Sequence, residues 1–283
     1  MIVVTGASGN VGSALVAELR AAGHDVRAAY RSPERTAAAL RAGTDAVTID
    51  MSRPGTLPPA LAGADAVFLL APAGQAQPGQ ERNVIEAAAT GVTRMVKLSI
   101  WRADEGLTPT ARWHRPGEEM LQSSGLAWTF LRPNFYMQNF TRQTATSIRQ
   151  ARSFTQPAAH APIAFVDAGD IARVAARVLT TPGHERRTYD ITGPQALTYE
   201  ETAGILSDVL GETVRYTALP DGQAHADMLR AGLAPGHADA LIEVSRAYRH
   251  GGADRVTTVV RDLTGRAPVS FAEFARRNAA AFR

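Results

Sequence analysis

The chain contains no cysteine among its 283 residues. This absence excludes disulfide bonds, thiol nucleophiles and thiolate metal sites, and it fits a reducing cytoplasm. The sequence also lacks any apolar run near the roughly 18 residues that a membrane-spanning helix needs. Its first residues enter an apolar strand without the pattern of a signal peptide. We therefore expect a cytoplasmic protein with no membrane partner.

Several catalytic signatures are missing as well. There is no Gly-x-Ser-x-Gly turn of a serine hydrolase and no Walker lysine of a nucleoside triphosphatase. The histidines other than His114 show no paired spacing typical of a metal site, so we expect no metal. The net charge is +3, but the arginines are scattered among acidic residues without a basic block. This pattern predicts no direct contact with nucleic acid.

A glycine-rich turn near residue 6 is the most informative feature that is present. An apolar stretch at residues 2–5 leads through Gly6, Gly9 and Gly12 into an amphipathic helix. Main-chain N–H groups at the start of such a helix lack helical partners, and together with the helix dipole they attract a phosphate. Gly6 permits the turn, Gly9 lets the backbone approach a pyrophosphate, and Gly12 lets the helix pack on the strand. Because a second strand follows, the pattern predicts a dinucleotide site.

Short apolar strands alternate with helices over the first two thirds of the chain. The predicted strands are 2–5, 25–30, 46–49, 66–70, 94–99 and 127–131, and the predicted helices are 11–22, 33–41, 80–90 and 109–123. This alternation predicts the α/β class, with a Rossmann-type doubly wound parallel sheet. Beyond Pro133 the alternation breaks down. We expect a Rossmann domain at 1–133 and a smaller, mostly helical substrate-binding or lid region at 134–283 packed on it, with 163–171 and 188–191 returning to the sheet.

The end of the second strand predicts the choice of dinucleotide. No acid lies there, whereas Arg31 and Ser32 do, and Arg35 follows one helical turn later. A guanidinium group can bond a 2′-phosphate through two charge-assisted hydrogen bonds, so we expect NADP(H) in preference to NAD(H). Asp50 is a candidate for the adenine amino group. The complete expected cofactor set is Thr5, Gly6, Ser8, Gly9, Asn10, Val11, Gly12, Arg31, Ser32, Arg35, Asp50, Met51, Leu70, Ala71, Pro72, Ser99, Pro133, Asn134 and Phe135.

Lys97 is the single lysine among 30 basic residues. Most short-chain dehydrogenases pair a tyrosine with a lysine four residues later, which lowers the pKa of the phenol. The residue four positions before Lys97 is Thr93, so this pair is absent. Ser99, His114 and Glu118 are the candidate catalytic residues instead, with His114 and Glu118 one helical turn apart on one face. The ordinary histidine pKa near 6.5 suits proton donation, but a structural histidine bonded to Glu118 fits the pattern equally well.

Over essentially its whole length the chain resembles NmrA-like proteins, which are atypical members of the short-chain dehydrogenase/reductase superfamily. The motifs that carry the resemblance are VTGASGNVG from Val4, LS at Leu98, WH at Trp113 with Glu118, SGL at Ser124, LRPNFYMQN from Leu131, FVD at Phe165 with DIA at Asp170, and LTGRAP from Leu263 with Phe271. The resemblance implies a Rossmann fold that binds NADP(H). It leaves the reaction open, because some such proteins look like NADPH-dependent reductases and others bind dinucleotide without turnover.

Two functions therefore fit the sequence. The first is an NADPH-dependent oxidoreductase of a small electrophile such as a quinone, enone or imine, since the nicotinamide carries the chemistry. In that case Trp101, Tyr136, Asn139 and Phe165 would line an apolar pocket, although core packing is the alternative for the aromatic residues. The second is a non-catalytic redox sensor or transcriptional co-regulator that acts on a protein partner. The His114–Glu118 pair favours the enzyme, and the missing tyrosine–lysine pair favours the sensor. A monomer and a homodimer both fit.

Overall fold

A seven-stranded sheet in the order β3-β2-β1-β4-β5-β6-β8 forms the centre of the computed structural model, which describes all residues 1–283. Every neighbouring pair from β3 across to β6 is parallel. The strands are β1 Ile2–Val4, β2 Val26–Tyr30, β3 Asp45–Thr48, β4 Ala66–Leu69, β5 Arg94–Leu98, β6 Ala127–Pro133 and β8 Arg187–Ile191. This arrangement confirms the Rossmann-type doubly wound sheet. The strand order reverses between β1 and β4, and ligands of such sheets bind beyond the carboxyl ends of the strands at that point.

The sheet belongs to the first of two compact units, which comprises Met1–Gly106, Ala111–Pro133 and Ala168–Asp190. Its central strands are buried on both faces, as a parallel sheet covered by helices requires, with Val3, Val67 and Phe68 fully buried. The helices of this part of the chain are α1 Asn10–Ala21, α2 Pro33–Arg41, α3 Leu57–Leu61, α4 Gln77–Ala88, α5 Pro109–Ser123 and α7 Ala168–Thr180.

The second unit comprises Leu107–Thr110, Asn134–Asp167 and Ile191–Arg283. A two-stranded parallel sheet in this unit pairs β7, Ser153–Gln156, with β9, Arg215–Ala218. A π-helical turn, Phe140–Thr144, leads directly into the helix Ala145–Ala151. The remaining elements are α6 Ala145–Ala151, β7 Ser153–Gln156, α8 Tyr199–Leu210, β9 Arg215–Ala218, α9 Asp221–Arg230, α10 Pro235–Arg249, α11 Val259–Thr264, α12 Phe271–Arg277 and α13 Ala279–Phe282. No helix of the structure combines the length and the apolar character that crossing a membrane requires.

The predicted return of residues 163–171 to the large sheet is wrong. Ile163 and Val166 instead form isolated bridges with Leu197 and Tyr136. Helix α7 begins at Ala168. The apolar face of α7 packs against α1, and residues 168–190 therefore belong to the first unit. The return of residues 188–191 does occur, because they form most of β8.

Phe140 lies at the centre of the apolar core of the second unit. Its ring centroid is 4.7 Å from that of Phe271 and 5.4 Å from that of Phe165. The rings of Phe154 and Tyr199 lie within 6 Å of it. Such aromatic contacts add to the free energy gained by burying the rings.

We predict that Phe140→Ala lowers the free energy of unfolding by about 3–5 kcal/mol, because it leaves a cavity in this core. Denaturant unfolding of the purified variant measures the change. Leu40→Ala is the control, since that side chain is 52% exposed and its removal is expected to change stability by about 0.5 kcal/mol or less. Equal, small changes in both variants would contradict the assignment of Phe140 to a tightly packed core.

Candidate functional site

The glycine turn between β1 and α1 has the geometry that a diphosphate needs. Gly6 has φ +62°, a conformation that side chains rarely allow. A Cβ atom on Gly12 would lie 2.2 Å from the Gly6 carbonyl oxygen, so only glycine permits this close packing. Gly9 precedes α1 without a side-chain cap, and no acid lies in the first turn of the helix. The N–H groups of that turn therefore lack a side-chain competitor for an anion.

Thr5 supports the turn from the sheet and has no exposed surface. Its hydroxyl donates to the Phe68 carbonyl at 3.0 Å and accepts a hydrogen bond from the Leu70 amide at 2.8 Å. The side chain thus ties the end of β1 to the end of β4 at the point where the strand order reverses. Its side chain therefore has a structural role, and the expected contact of Thr5 with the cofactor stays a prediction.

Arg31 and Arg35 flank the start of α2, and both are exposed. Ser32 caps this helix, because its hydroxyl accepts from the Arg35 amide and donates to Glu34. The two guanidinium groups and the helix N-terminus fit a 2′-phosphate, and the Ser32 hydroxyl already has a structural task.

The expected adenosine contacts follow β3 and β4. One oxygen of Asp50 accepts from the Ser52 amide at 2.9 Å, and the Met51 carbonyl accepts from Asn83 at 2.8 Å. Ala71 is buried, Leu70 is half-buried and Pro72 is exposed. These residues lie at the carboxyl ends of strands adjacent to the glycine turn, where a dinucleotide lies in this fold. Their individual contacts stay predictions.

Lys97 of β5 forms a buried polar cluster with two helices. Its amine donates to Glu81 of α4 at 2.6 Å and contacts Nδ1 of His114 of α5 at 3.1 Å. The amide nitrogen of Gln77 lies 3.0 Å from the same Glu81 oxygen and 2.9 Å from His114 Nδ1. Lys97 and Glu81 have no exposed side-chain surface, whereas the His114 side chain is 12% exposed. His114 is therefore the member of the cluster that reaches the surface of the unit.

Burial controls the protonation of this cluster. Desolvation lowers the pKa of His114 well below 6.5, and the nearby charge of Lys97 lowers it further. Desolvation also lowers the pKa of Lys97 and raises that of Glu81, although the attraction between the two charges opposes both shifts. His114 is thus a neutral imidazole at neutral pH. The expectation of an ordinary histidine pKa is wrong, because the ring is desolvated beside a cation.

Glu118 belongs to a second buried cluster, separate from that of His114. Arg132 of β6 donates to both of its carboxylate oxygens, at 2.9 and 2.6 Å. Ser99 donates to Glu118 at 2.6 Å, and Asp104 pairs with Arg132 at 2.8 Å. Although His114 and Glu118 are one turn apart, they contact different strands and do not form the expected pair. Ser99 and Glu118 instead hold α5 on the sheet, and their expected catalytic roles gain no support from these contacts.

Sequence reasoning missed Gln77, Glu81, Lys97 and Arg132. One signal was present, because a lysine within an apolar central strand must pair with a buried carboxylate. Gly117 is a further member that was missed. A Cβ atom there would lie 1.8 Å from a Glu81 oxygen, so α5 can approach the lysine pair only with glycine at this position.

The residues that follow β6 are held mainly by internal contacts. Asn134 donates to the Ala253 carbonyl at 2.8 Å and accepts from the Phe135 amide at 2.9 Å. Phe165 is fully buried against other rings, so it is a core residue and does not line a pocket. Burial raises the pKa of the Tyr136 phenol, which therefore stays protonated at neutral pH.

Four further residues belong to the expected site. Trp101 is largely buried, and its amide donates to the Pro133 carbonyl at 3.0 Å. Pro133 is buried, whereas Tyr136 and Asn139 are half-buried. The substrate-binding roles of Trp101, Tyr136 and Asn139 and the cofactor contact of Pro133 stay predictions.

Known proteins are similar to this chain in sequence and in fold. The family model described as NAD(P)H-binding matches residues 6–182. An NAD(P)H azoreductase from Xenophilus azovorans is 37% identical, over 100% of this chain and 99% of that protein. A (4-alkanoyl-5-oxo-2,5-dihydrofuran-3-yl)methyl phosphate reductase from Streptomyces griseus subsp. griseus is also 37% identical, over 100% and 99%. The crystal structure of an NADPH-dependent quinone oxidoreductase from Escherichia coli, complexed with NADPH, has a TM-score of 0.89 at 28% identity and covers 98% of this chain and 99% of that one.

We predict that Arg31→Ala raises the Kd of NADPH about ten- to hundredfold, because a charged hydrogen bond contributes about 1.5–3 kcal/mol. NADH lacks the 2′-phosphate, so its Kd stays within about twofold. Calorimetric titration with both nucleotides measures the difference. Arg41→Ala, an exposed arginine in the last turn of the same helix, is the control for net charge. Equal losses of both nucleotides in the Arg31 variant would refute the 2′-phosphate assignment.

Proposed function

The chain belongs to the NAD(P)H-binding family whose model matches it, and on that premise we propose that it reduces a small electrophile with NADPH while His114 supplies a proton. An NAD(P)H-dependent reductase of small electrophilic substrates is the function that the relatives support, since they are named for reductions of azo compounds, a dihydrofuranone and quinones. The substrate class we favour is a quinone or another conjugated acceptor that needs both a hydride and a proton.

The cofactor would be held by the residues of the glycine turn and of the α2 N-terminus. The turn offers unblocked N–H groups to the diphosphate, and Arg31 and Arg35 offer cations to the 2′-phosphate. When bound, the reduced nicotinamide supplies the hydride. The chain itself then has to orient the acceptor and provide a proton to the oxygen or nitrogen that gains negative charge.

The partly exposed His114 ring is the single observation that carries the proton assignment. It is the titratable member of the Lys97 cluster that reaches the surface of the unit, and its other contacts hold the ring in place. A side chain that is fixed by packing and hydrogen bonds is in the best position to act as a general acid. Because the ring is neutral, it acts through an N–H group and not as an imidazolium ion.

We predict that His114→Gln lowers kcat for quinone reduction by about 10²-fold or more, the usual contribution of a general acid. The loss of NADPH absorbance at 340 nm with a panel of quinone, azo and enone acceptors measures turnover. The Kd of NADPH is expected to stay unchanged, because His114 lies outside the glycine turn. His160→Ala is the control, since that side chain is 80% exposed.

Full turnover in the His114 variant would refute the proton assignment. Tight NADPH binding without oxidation by any acceptor would favour the alternative function, a non-catalytic redox sensor with a protein partner. The test includes this alternative because the chain lacks the tyrosine–lysine pair of most short-chain dehydrogenases.

We also predict that kcat shows no step near pH 6.5 that depends on His114. Desolvation and the charge of Lys97 lower its pKa well below 6.5, so no change in its protonation is expected around that pH and its N–H group is available at neutral pH. If an imidazolium ion were the donor, kcat would fall about tenfold for each pH unit above 6.5. A pH profile of wild type and His114→Gln distinguishes the two. A falling limb near 6.5 that disappears in the variant would contradict the neutral ring.

A further inference from the structure

A neutral imidazole cannot easily give up a proton alone, because loss of its N–H leaves an imidazolate anion. It becomes an effective donor when a second group delivers a proton to its other nitrogen in the same step. In this protein the amine of Lys97 lies 3.1 Å from Nδ1 of His114. An ammonium group has donors and no lone pair, so we assign the lone pair of the ring to Nδ1 and its hydrogen to Nε2. The amide nitrogen of Gln77, which is also a donor, lies nearer to Nδ1, at 2.9 Å, than to Nε2, at 3.2 Å.

We propose that Lys97 is a proton relay that acts through His114, an inference that rests on the proposed function of His114. As the reduced substrate anion takes the proton from Nε2, the Lys97 ammonium passes a proton to Nδ1. The substrate becomes neutral, the imidazole stays neutral and changes tautomer, and Lys97 becomes a neutral amine. A proton from water then returns to Nε2 while Nδ1 returns its proton to Lys97.

The surroundings of Lys97 suit such a step. Its side chain has no exposed surface, so it is shielded from bulk solvent. Desolvation lowers its pKa, which makes the ammonium a better donor than a lysine on the surface. The charged groups that face the relay are Glu81 of α4, which holds the amine at 2.6 Å, and Glu118 of α5, whose charge also acts on Lys97.

Gly117 of α5 provides the space that the Lys97–Glu81 pair needs. A Cβ atom at that position would meet a Glu81 oxygen at 1.8 Å and Cε of Lys97 at 3.0 Å. The glycine thus leaves room for the ion pair whose lysine contacts His114. The second Glu81 oxygen is buried and accepts no hydrogen bond from a protein group.

The test compares two double variants with wild type in quinone reduction. Lys97→Arg with Glu81→Asp keeps both charges and shortens the acid to make room for the larger cation. Because a guanidinium group does not release its proton, this variant keeps the cation and loses the relay. Lys97→Met with Glu81→Gln removes both charges together, so that no unpaired charge is buried. We expect both variants to lower kcat about 10²-fold and to leave the Kd of NADPH unchanged.

Thermal unfolding shows whether each double variant is folded, and kcat is interpreted only for a folded variant. The activity test requires that at least one of the two double variants is folded. A folded arginine variant with wild-type kcat would overturn the relay, because a cation of any kind would then be sufficient. A wild-type kcat in the charge-free variant would overturn it as well. If His114→Gln is impaired while a folded Lys97 variant is not, the relay fails and the proposed function stands. If His114→Gln is fully active, the proposed function itself fails.

A spectroscopic measurement tests the geometry without any activity. The nitrogen-15 chemical shifts of His114 in the wild-type protein distinguish a protonated ring nitrogen from one that carries a lone pair. We expect a lone pair on Nδ1 and a hydrogen on Nε2 at neutral pH. A hydrogen on Nδ1 would overturn the relay, because Lys97 could then not donate to the ring.

Discussion

A buried charge must be paired, and this constraint determines how the candidate site is built. Lys97 of β5 and Arg132 of β6 both enter the interior from the central sheet, where an unpaired cation would cost several kcal/mol. Each is matched by a carboxylate from a covering helix, Glu81 of α4 and Glu118 of α5. The two ion pairs therefore fix the helices on the sheet, and the position of His114 follows from theirs.

Helix α5 shows most clearly how the two ion pairs determine the position of His114. His114 and Glu118 lie one turn apart and share a helix face, yet Lys97 contacts the first and Arg132 binds the second. Glu118 and Ser99 are engaged with each other and with Arg132, which leaves His114 as the partly exposed member. Gly117 lies between the two and is required by the space that the Lys97–Glu81 pair occupies.

The contact between His114 and Lys97 also matters for the chemistry of this chain, which lacks the tyrosine–lysine pair of most short-chain dehydrogenases. In place of a phenol activated by a neighbouring lysine, this chain presents an imidazole in contact with a buried lysine. The relatives are named for the reduction of azo, furanone and quinone acceptors. Such substrates accept a hydride readily, so the demands on the protein are orientation and a proton.

From the sequence by itself, the doubly wound sheet, the glycine turn and the family could be determined. These features depend on local patterns, namely apolar strands, helix periodicity and glycines at positions where a side chain would clash. The π-helical turn at Phe140 and the isolated bridges at Ile163 and Val166 could not, since they arise from packing within the second unit. The partners of His114 were also beyond the sequence, because Glu81, Lys97 and His114 are distant along the chain. Only the tertiary structure brought them into one buried cluster, and desolvation there, together with the charge of Lys97, lowers the pKa of the histidine.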